Sequence, residues 1–257
     1  MPHDRVGDIV IISAISGVLG AKLFHILEFA TWDSLWTELL SGSGLTIYGG
    51  LILATIVVAF WAHRKEIPPL QLADAIAPIL LLSYGVGRLG CHFSGDGDWG
   101  DPNPNPNSAW LPDWLWAYSY PNNVVNAGIP LEHCGYPVSF GDYCSELPAA
   151  VYPTSVWEFL MGTAGFALLW YLRKPVKVHG LLFSIYLIIN GLERFLIELI
   201  RVNGEYNVLG IKMTQAQAIA IIIFILGLIG SIFFWRKQLQ IEHTKLTDTD
   251  NTQETST

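Results

Sequence analysis

The chain has 257 residues, 51% of them hydrophobic and only 14% charged, against about 25% charged in a typical soluble domain. Ten tryptophans and a positive mean hydropathy point to a polytopic membrane protein. A formal net charge of -8 argues against nucleic acid as a partner, and no internal repeat is visible.

A bilayer core of about 30 Å takes roughly twenty apolar residues to cross as a helix. In chain order the segments near 8–29, 45–62, 71–90, 153–172, 180–200 and 214–235 meet that requirement, which predicts an all-α polytopic fold of six transmembrane helices. The first could pass for a signal sequence, but its apolar run continues through Lys22 and His25 without a small-residue cleavage site, so it reads as a retained span. Between the first two spans, Trp32, Leu35, Trp36 and Leu39 share one helical face. That spacing suits a short helix on the interface or, equally, a packed surface loop.

Helices 1–3 fill residues 1–90, a loop-rich cap 91–152, and helices 4–6 residues 153–237; a polar, threonine-rich tail, 238–257, is expected to be disordered. Arg5, Arg64, Lys65, Arg173, Lys174 and Lys177 fall on one side of this arrangement, whereas 91–152 holds neither lysine nor arginine. The positive-inside rule therefore puts both termini in the cytoplasm and the cap outside. In an oxidising compartment Cys134 and Cys144 are either disulfide partners or two buried thiols.

The stretch Gly85–Asp101 concentrates the chemistry. Arg88 falls where a buried apolar helix ends, and a glycine-punctuated run carrying Cys91, His92, Asp96 and Asp98 follows it. Glycines let a backbone turn sharply and approach a ligand. Arg88 is either an anion ligand or a snorkelling residue. On the fifth span Asn190, Arg194, Glu198 and Arg201 are spaced four, four and three, one polar stripe with Glu193 beside it. Arg194 would lie about 10 Å below the outer surface at a rise of about 1.5 Å per residue, too deep to be idle. With Glu158 on the fourth span, these arginines suit a phosphate reached from the outer leaflet; the alternative is an Arg–Glu ladder that merely holds helices together.

Five motifs then occur in order: Leu-Thr-Ile-Tyr-Gly-Gly-Leu (45–51), Leu-Ala-Asp-Ala-Ile-Ala-Pro (72–78), Gly-Arg-Leu-Gly (87–90), Tyr-Pro-Thr-Ser-Val-Trp-Glu (152–158) and Glu-Arg-Phe-Leu-Ile-Glu-Leu-Ile-Arg (193–201). Thr-Gln-Ala-Gln (214–217) precedes the last span. Together they resemble the prolipoprotein diacylglyceryl transferases. The resemblance implies transfer of the diacylglyceryl group of phosphatidylglycerol to the lipobox cysteine behind a prolipoprotein signal peptide, in the bacterial cytoplasmic membrane, with no cofactor or metal. Arg88 and Arg194 would neutralise the headgroup while Arg201, Glu158 and Glu198 orient them, and Gly49, Gly50, Asp98 and Asn190 would complete the substrate-binding set. Asp74 also matches, with a helix-start or structural role equally open.

The departures from the pattern are as specific. Tyr48 stands where the family usually has a histidine, a favoured base, and Asn190 replaces a common tyrosine. The family's first transmembrane helix has no evident counterpart, implying a shortened chain or a later start. His92 is a substitute base, since imidazole titrates near pKa 6.5 and a phenol only near about 10; otherwise it is a hydrogen-bonded turn residue. Cys91 is an acceptor or a packed thiol. The spacing of Cys91, His92, Asp96 and Asp98 fits neither a zinc site nor an EF-hand loop. Two functions follow: the transferase, favoured by retention of Arg88, Glu158, Arg194, Glu198 and Arg201, and a non-catalytic paralogue binding anionic phospholipid or lipoprotein precursors, favoured by loss of the histidine.

Overall fold

Apolar runs without water to satisfy their backbone must close their hydrogen bonds internally, and the long hydrophobic stretches of this chain do so as helices. The computed structural model describes residues 4–29, 36, 39, 46–106, 110–132, 143–201, 206–208 and 211–254. The chain divides into two compact units, Met1–Leu72 and Ala73–Thr257.

In the N-terminal unit, α1 (Asp4–Phe29) packs along α2 (Ile47–Arg64). Small residues make this possible: a Cβ on Gly50 would meet the Gly17 carbonyl oxygen at 2.9 Å, and Gly49 faces the Gly20 carbonyl and the Phe24 side chain. The start of α2 is pinned by Thr46, whose N–H and hydroxyl both donate to Ala21 O, at 3.1 and 3.0 Å. Near the other end Arg5 Nη1 donates to Lys65 O at 3.0 Å.

The C-terminal unit holds α3 (Pro69–Ser94, from Ala73 onward), the short α4 (Asp113–Trp116), α5 (Thr154–Leu172), α6 (Leu181–Glu198) and α7 (Gln215–Glu254). Glycines again set the helix spacing: Gly162 of α5 lies against the Leu81 carbonyl of α3, and Gly191 and Gly227 bring α6 and α7 together. Ala77, Leu81, Leu169 and Leu182 form the buried centre. Above it the cap is irregular. Two-residue strands β1 (Ile129–Pro130) and β2 (Ser145–Glu146) pair antiparallel, and Asn123, 1% exposed, gathers the surrounding turns through the carbonyls of Ala127 and Ser145 and the N–H of Ala127. The antiparallel strands β3 (Tyr206–Val208) and β4 (Ile211–Met213) lead into α7.

Arg5–Glu28, Pro69–Ser94, Thr154–Leu172 and Gln215–Ile241 are long and apolar enough to cross a membrane, and Gly49–Arg64 is a shorter apolar helix. The protein is thus a helical multi-pass membrane protein, and the faces a bilayer would cover expose side chains such as Leu27, Ile229 and Phe233. α6 stands apart because Glu193, Arg194 and Glu198 interrupt its apolar sequence.

The helix α7 runs on to Glu254, through most of the tail from 238 expected to be disordered. Its first part, Gln-Leu-Gln-Ile-Glu, consists of tolerable helix formers, and Gln238 is anchored to the Lys177 N–H and the Pro175 carbonyl at 3.3 Å each. Of the Trp32–Leu40 segment only Trp36 and Leu39 are among the described residues. Cys144 is disulfide-bonded and Cys91 is free, whereas Cys134 lies outside the described residues.

Candidate functional site

The last turns of α3 carry Arg88 to the foot of the cap, where the chain must reverse. Gly95 and Gly97 take positive φ, 60° and 101°, a conformation glycine adopts without strain. At Gly95 there is no room for a side chain either, since a Cβ would meet that of Asn123 at 2.7 Å. The returning strand is fastened on both sides: Gly100 N–H donates to Tyr152 O and Asp101 N–H to Ile200 O, each at 2.9 Å. This brings Asp98 back over the end of α3, where its carboxylate pairs with both Arg88 and Arg201.

Glu158, one turn into α5 and fully buried, is the second shared carboxylate. Its Oε1 lies 3.6 Å from Arg88 Nε and 3.5 Å from Arg194 Nη1. Arg194 Nη2 in turn reaches Glu198 Oε2 at 2.9 Å, one turn along α6. Tyr84, one turn before Arg88, sets its hydroxyl 2.7 Å from Glu158 Oε1 and 3.1 Å from Glu193 Oε1, while the Arg88 guanidinium stacks 5.1 Å above its ring. The arrangement brings together Arg88, Asp98, Glu158, Arg194, Glu198 and Arg201, and it adds Tyr84 and Glu193. Arg194 Nη1 is buried and, beyond its 3.5 Å approach to Glu158, has no hydrogen-bond partner among the described residues. An unmade guanidinium bond in a buried site is costly and marks where an anionic acceptor fits.

The other expected residues lie elsewhere. His92 is 8% exposed in an aromatic nest, its Nδ1 3.2 Å from the Tyr120 hydroxyl and its ring beside Tyr118 and Phe93. The Tyr120 hydroxyl also lies 3.3 Å from Ser155 Oγ, and burial pushes its phenol up to about 12, so it keeps its proton at neutral pH. This nest lines a pocket of about 410 Å³ with Leu89, Trp114, Tyr118 and Phe159. Tyr48, Gly49 and Gly50 belong to α2 in the N-terminal unit, where the two glycines are taken up by packing against α1. Asn190 is half-buried one turn before Arg194 on α6.

Asp74 is a structural residue at the opposite end of α3. Its two carboxylate oxygens accept the N–H groups of Gly180 and Phe183, at 2.7 and 2.8 Å, at the start of α6. Cys91 Sγ sits 3.9 Å from Arg88 Nη1, and its sulfur and the carboxylate oxygens of Asp96 and Asp98 lie within 4.8 Å of one another. His92 is not in that group, and the two guanidiniums on Asp98 oppose a cation there. Sequence reading missed Tyr84, although its position four residues before Arg88 puts both on one helix face.

The family model of the prolipoprotein diacylglyceryl transferases matches residues 1–233. The phosphatidylglycerol–prolipoprotein diacylglyceryl transferase of Bifidobacterium adolescentis is 28% identical over 243 residues, which cover 89% of this chain and 66% of that protein. The protein of the same name from Clostridium tetani is 29% identical over 239 residues, 92% of this chain and 84% of its own. A third, from Streptococcus uberis, is 28% identical over 243 residues, 93% and 82% of the two chains.

Proposed function

Since the chain belongs to the prolipoprotein diacylglyceryl transferase family, we propose that it transfers the diacylglyceryl group of phosphatidylglycerol to the lipobox cysteine of prolipoproteins. It is a transferase, and relatives across several bacterial genera carry that activity in their names. The observation that carries the site is the sharing of buried Glu158 by Arg88 and Arg194, in which Arg194 Nη1 approaches Oε1 at 3.5 Å without a hydrogen bond among the described residues.

The headgroup phosphate engages Arg88 and Arg194, with Arg201 at the rim and Glu158, Glu198 and Asp98 holding the guanidinium planes. As the cysteine sulfur bonds to the glyceryl carbon, the carbon–oxygen bond to phosphate breaks and its electron pair stays on the phosphate oxygen. Glycerol phosphate then leaves, its growing charge met by guanidiniums already in place. The thiol must first lose its proton, because the thiolate is the nucleophile. His92 is the group assigned to take it, and Asn190 lines the substrate path in this reading.

All six long helices span the bacterial cytoplasmic membrane, α6 included, because its charges are answered within the cluster. Both termini are cytoplasmic and the cap between α3 and α5 is outside. The test is mass spectrometry of a lipobox peptide incubated with the purified protein and phosphatidylglycerol. A diacylglyceryl mass on the cysteine, absent with Arg88→Ala, is expected. A folded wild-type protein that retains the lipid but forms no product would replace the transferase with a lipid-binding paralogue.

A further inference from the structure

Glu193 has no part in the transfer just described, yet it is only 4% exposed. None of the ion pairs among the described residues includes it. Its Oε1 meets the Tyr84 hydroxyl at 3.1 Å, and its Oε2 is buried without a hydrogen-bond partner among the described residues. The same phenol lies 2.7 Å from Glu158 Oε1.

A phenol has one proton to give, so it serves only one of two carboxylates, and the second contact requires a proton of its own. Glu158 is the nearer acceptor and has two guanidiniums close by, at 3.5 and 3.6 Å. The extra proton therefore belongs on Glu193. The ion pairs agree: among the described residues Arg88, Arg194 and Arg201 pair with Asp98, Glu158 and Glu198, and none pairs with Glu193. A buried carboxylate without a cation is costly, whereas a neutral carboxyl with one idle carbonyl oxygen costs far less. The groups facing Glu193 are Tyr84 and Arg88 from α3, Glu158 from α5, and Arg194 and Tyr186 from its own helix. α7, packed along α6, has no titratable side chain from Gln215 to Trp235.

We propose that Glu193 is held as a neutral carboxyl and, through Tyr84, positions Glu158 between Arg88 and Arg194, which keeps the headgroup site charge-balanced before the lipid phosphate arrives. Glu193 O–H donates to Tyr84 Oη, and Tyr84 O–H donates to Glu158 Oε1. Loss of the Glu193 proton turns the phenol donor away from Glu158 and sets an extra negative charge against an anionic lipid. Binding of the headgroup and transfer then both weaken at alkaline pH. Both effects rest on the transferase reading, whereas the protonation state of Glu193 does not.

The experiment measures infrared spectra of the purified full chain, phosphatidylglycerol binding, and lipobox transfer across pH. At neutral pH the wild type is expected to show a protonated-carboxyl C=O stretch that Glu193→Gln removes. Glu193→Ala should lose transfer by up to about tenfold, the upper worth of one neutral hydrogen bond. Glu193→Gln, whose amide donates to Tyr84 at every pH, should restore it and abolish the alkaline decline. An unchanged alkaline decline in Glu193→Gln, or an infrared spectrum without the protonated carboxyl, would overturn the proposal. Should Arg194→Ala transfer at the wild-type rate, the headgroup reading fails instead, and the infrared result still decides the state of Glu193.

Discussion

The two ends of α3 handle buried charge in opposite ways. At the Asp74 end each carboxylate oxygen accepts a backbone N–H at the start of α6, at 2.7 and 2.8 Å. At the Arg88 end side chains satisfy one another, carboxylates are shared between arginines, and Arg194 Nη1 makes an ion pair but no hydrogen bond among the described residues. Backbone partners cannot leave without unwinding a helix, so the first end is fixed. Side-chain partners exchange easily. The same physical need, an ion paired out of water, thus yields a brace at one end and a rearrangeable site at the other.

Substitutions can break this contrast. Arg194→Ala should have the largest effect, lowering lipobox transfer by about 10² to 10³-fold, the cost of one donor to a developing anion. Arg194→Lys, which keeps a cation beside buried Glu158 and Glu198 but loses the guanidinium fork, should hardly move the thermal unfolding temperature; a large drop would make Arg194 a brace as well. Asp74→Ala should do the reverse and destabilise the protein by about 1 to 3 kcal/mol through two unanswered helix-start N–H groups, with transfer per folded molecule retained. Denaturation in detergent read alongside a transfer assay separates these outcomes. Gly50→Ala, which crowds the Gly17 carbonyl, should cost about 1 to 3 kcal/mol by forcing α1 and α2 apart. Equal stability with weakened lipid binding would return Gly50 to the substrate path. The smallest effect is expected from Tyr120→Phe, which removes the hydroxyl beside His92 and Ser155 at about 0.5 to 1.5 kcal/mol. If His92 takes the thiol proton, that variant should also shift the pH profile of transfer. An unshifted profile would leave the nest as packing alone.

Much of the rearrangeable end was legible in the sequence, because a helix turns a spacing of four, four and three into a stripe. Arg194 and Glu198 could be placed on one face of α6 from their spacing alone, whereas Arg201 lies three residues past the end of the helix and bridges Gly100. The convergence of Asp98 with Arg88 and Arg201 was not legible, since it depends on the turn at Gly95 and Gly97 and on bonds from Gly100 and Asp101 to distant segments. The brace was hidden for the same reason: Asp74 and Gly180 are 106 positions apart. Gly49 and Gly50 show the converse difficulty. A glycine pair reads alike whether its missing side chains make room for a ligand or for a neighbouring helix, and here the neighbour is α1.

Asp98 is held by Arg88 and Arg201 at once, so these two cations are energetically coupled. A ligand that draws either one away returns Asp98 wholly to the other. Their alanine substitutions should therefore be non-additive in a double-mutant cycle, as expected for residues in one ion-pair network. The headgroup site would then respond as a unit, and its arginines could not be ranked one at a time.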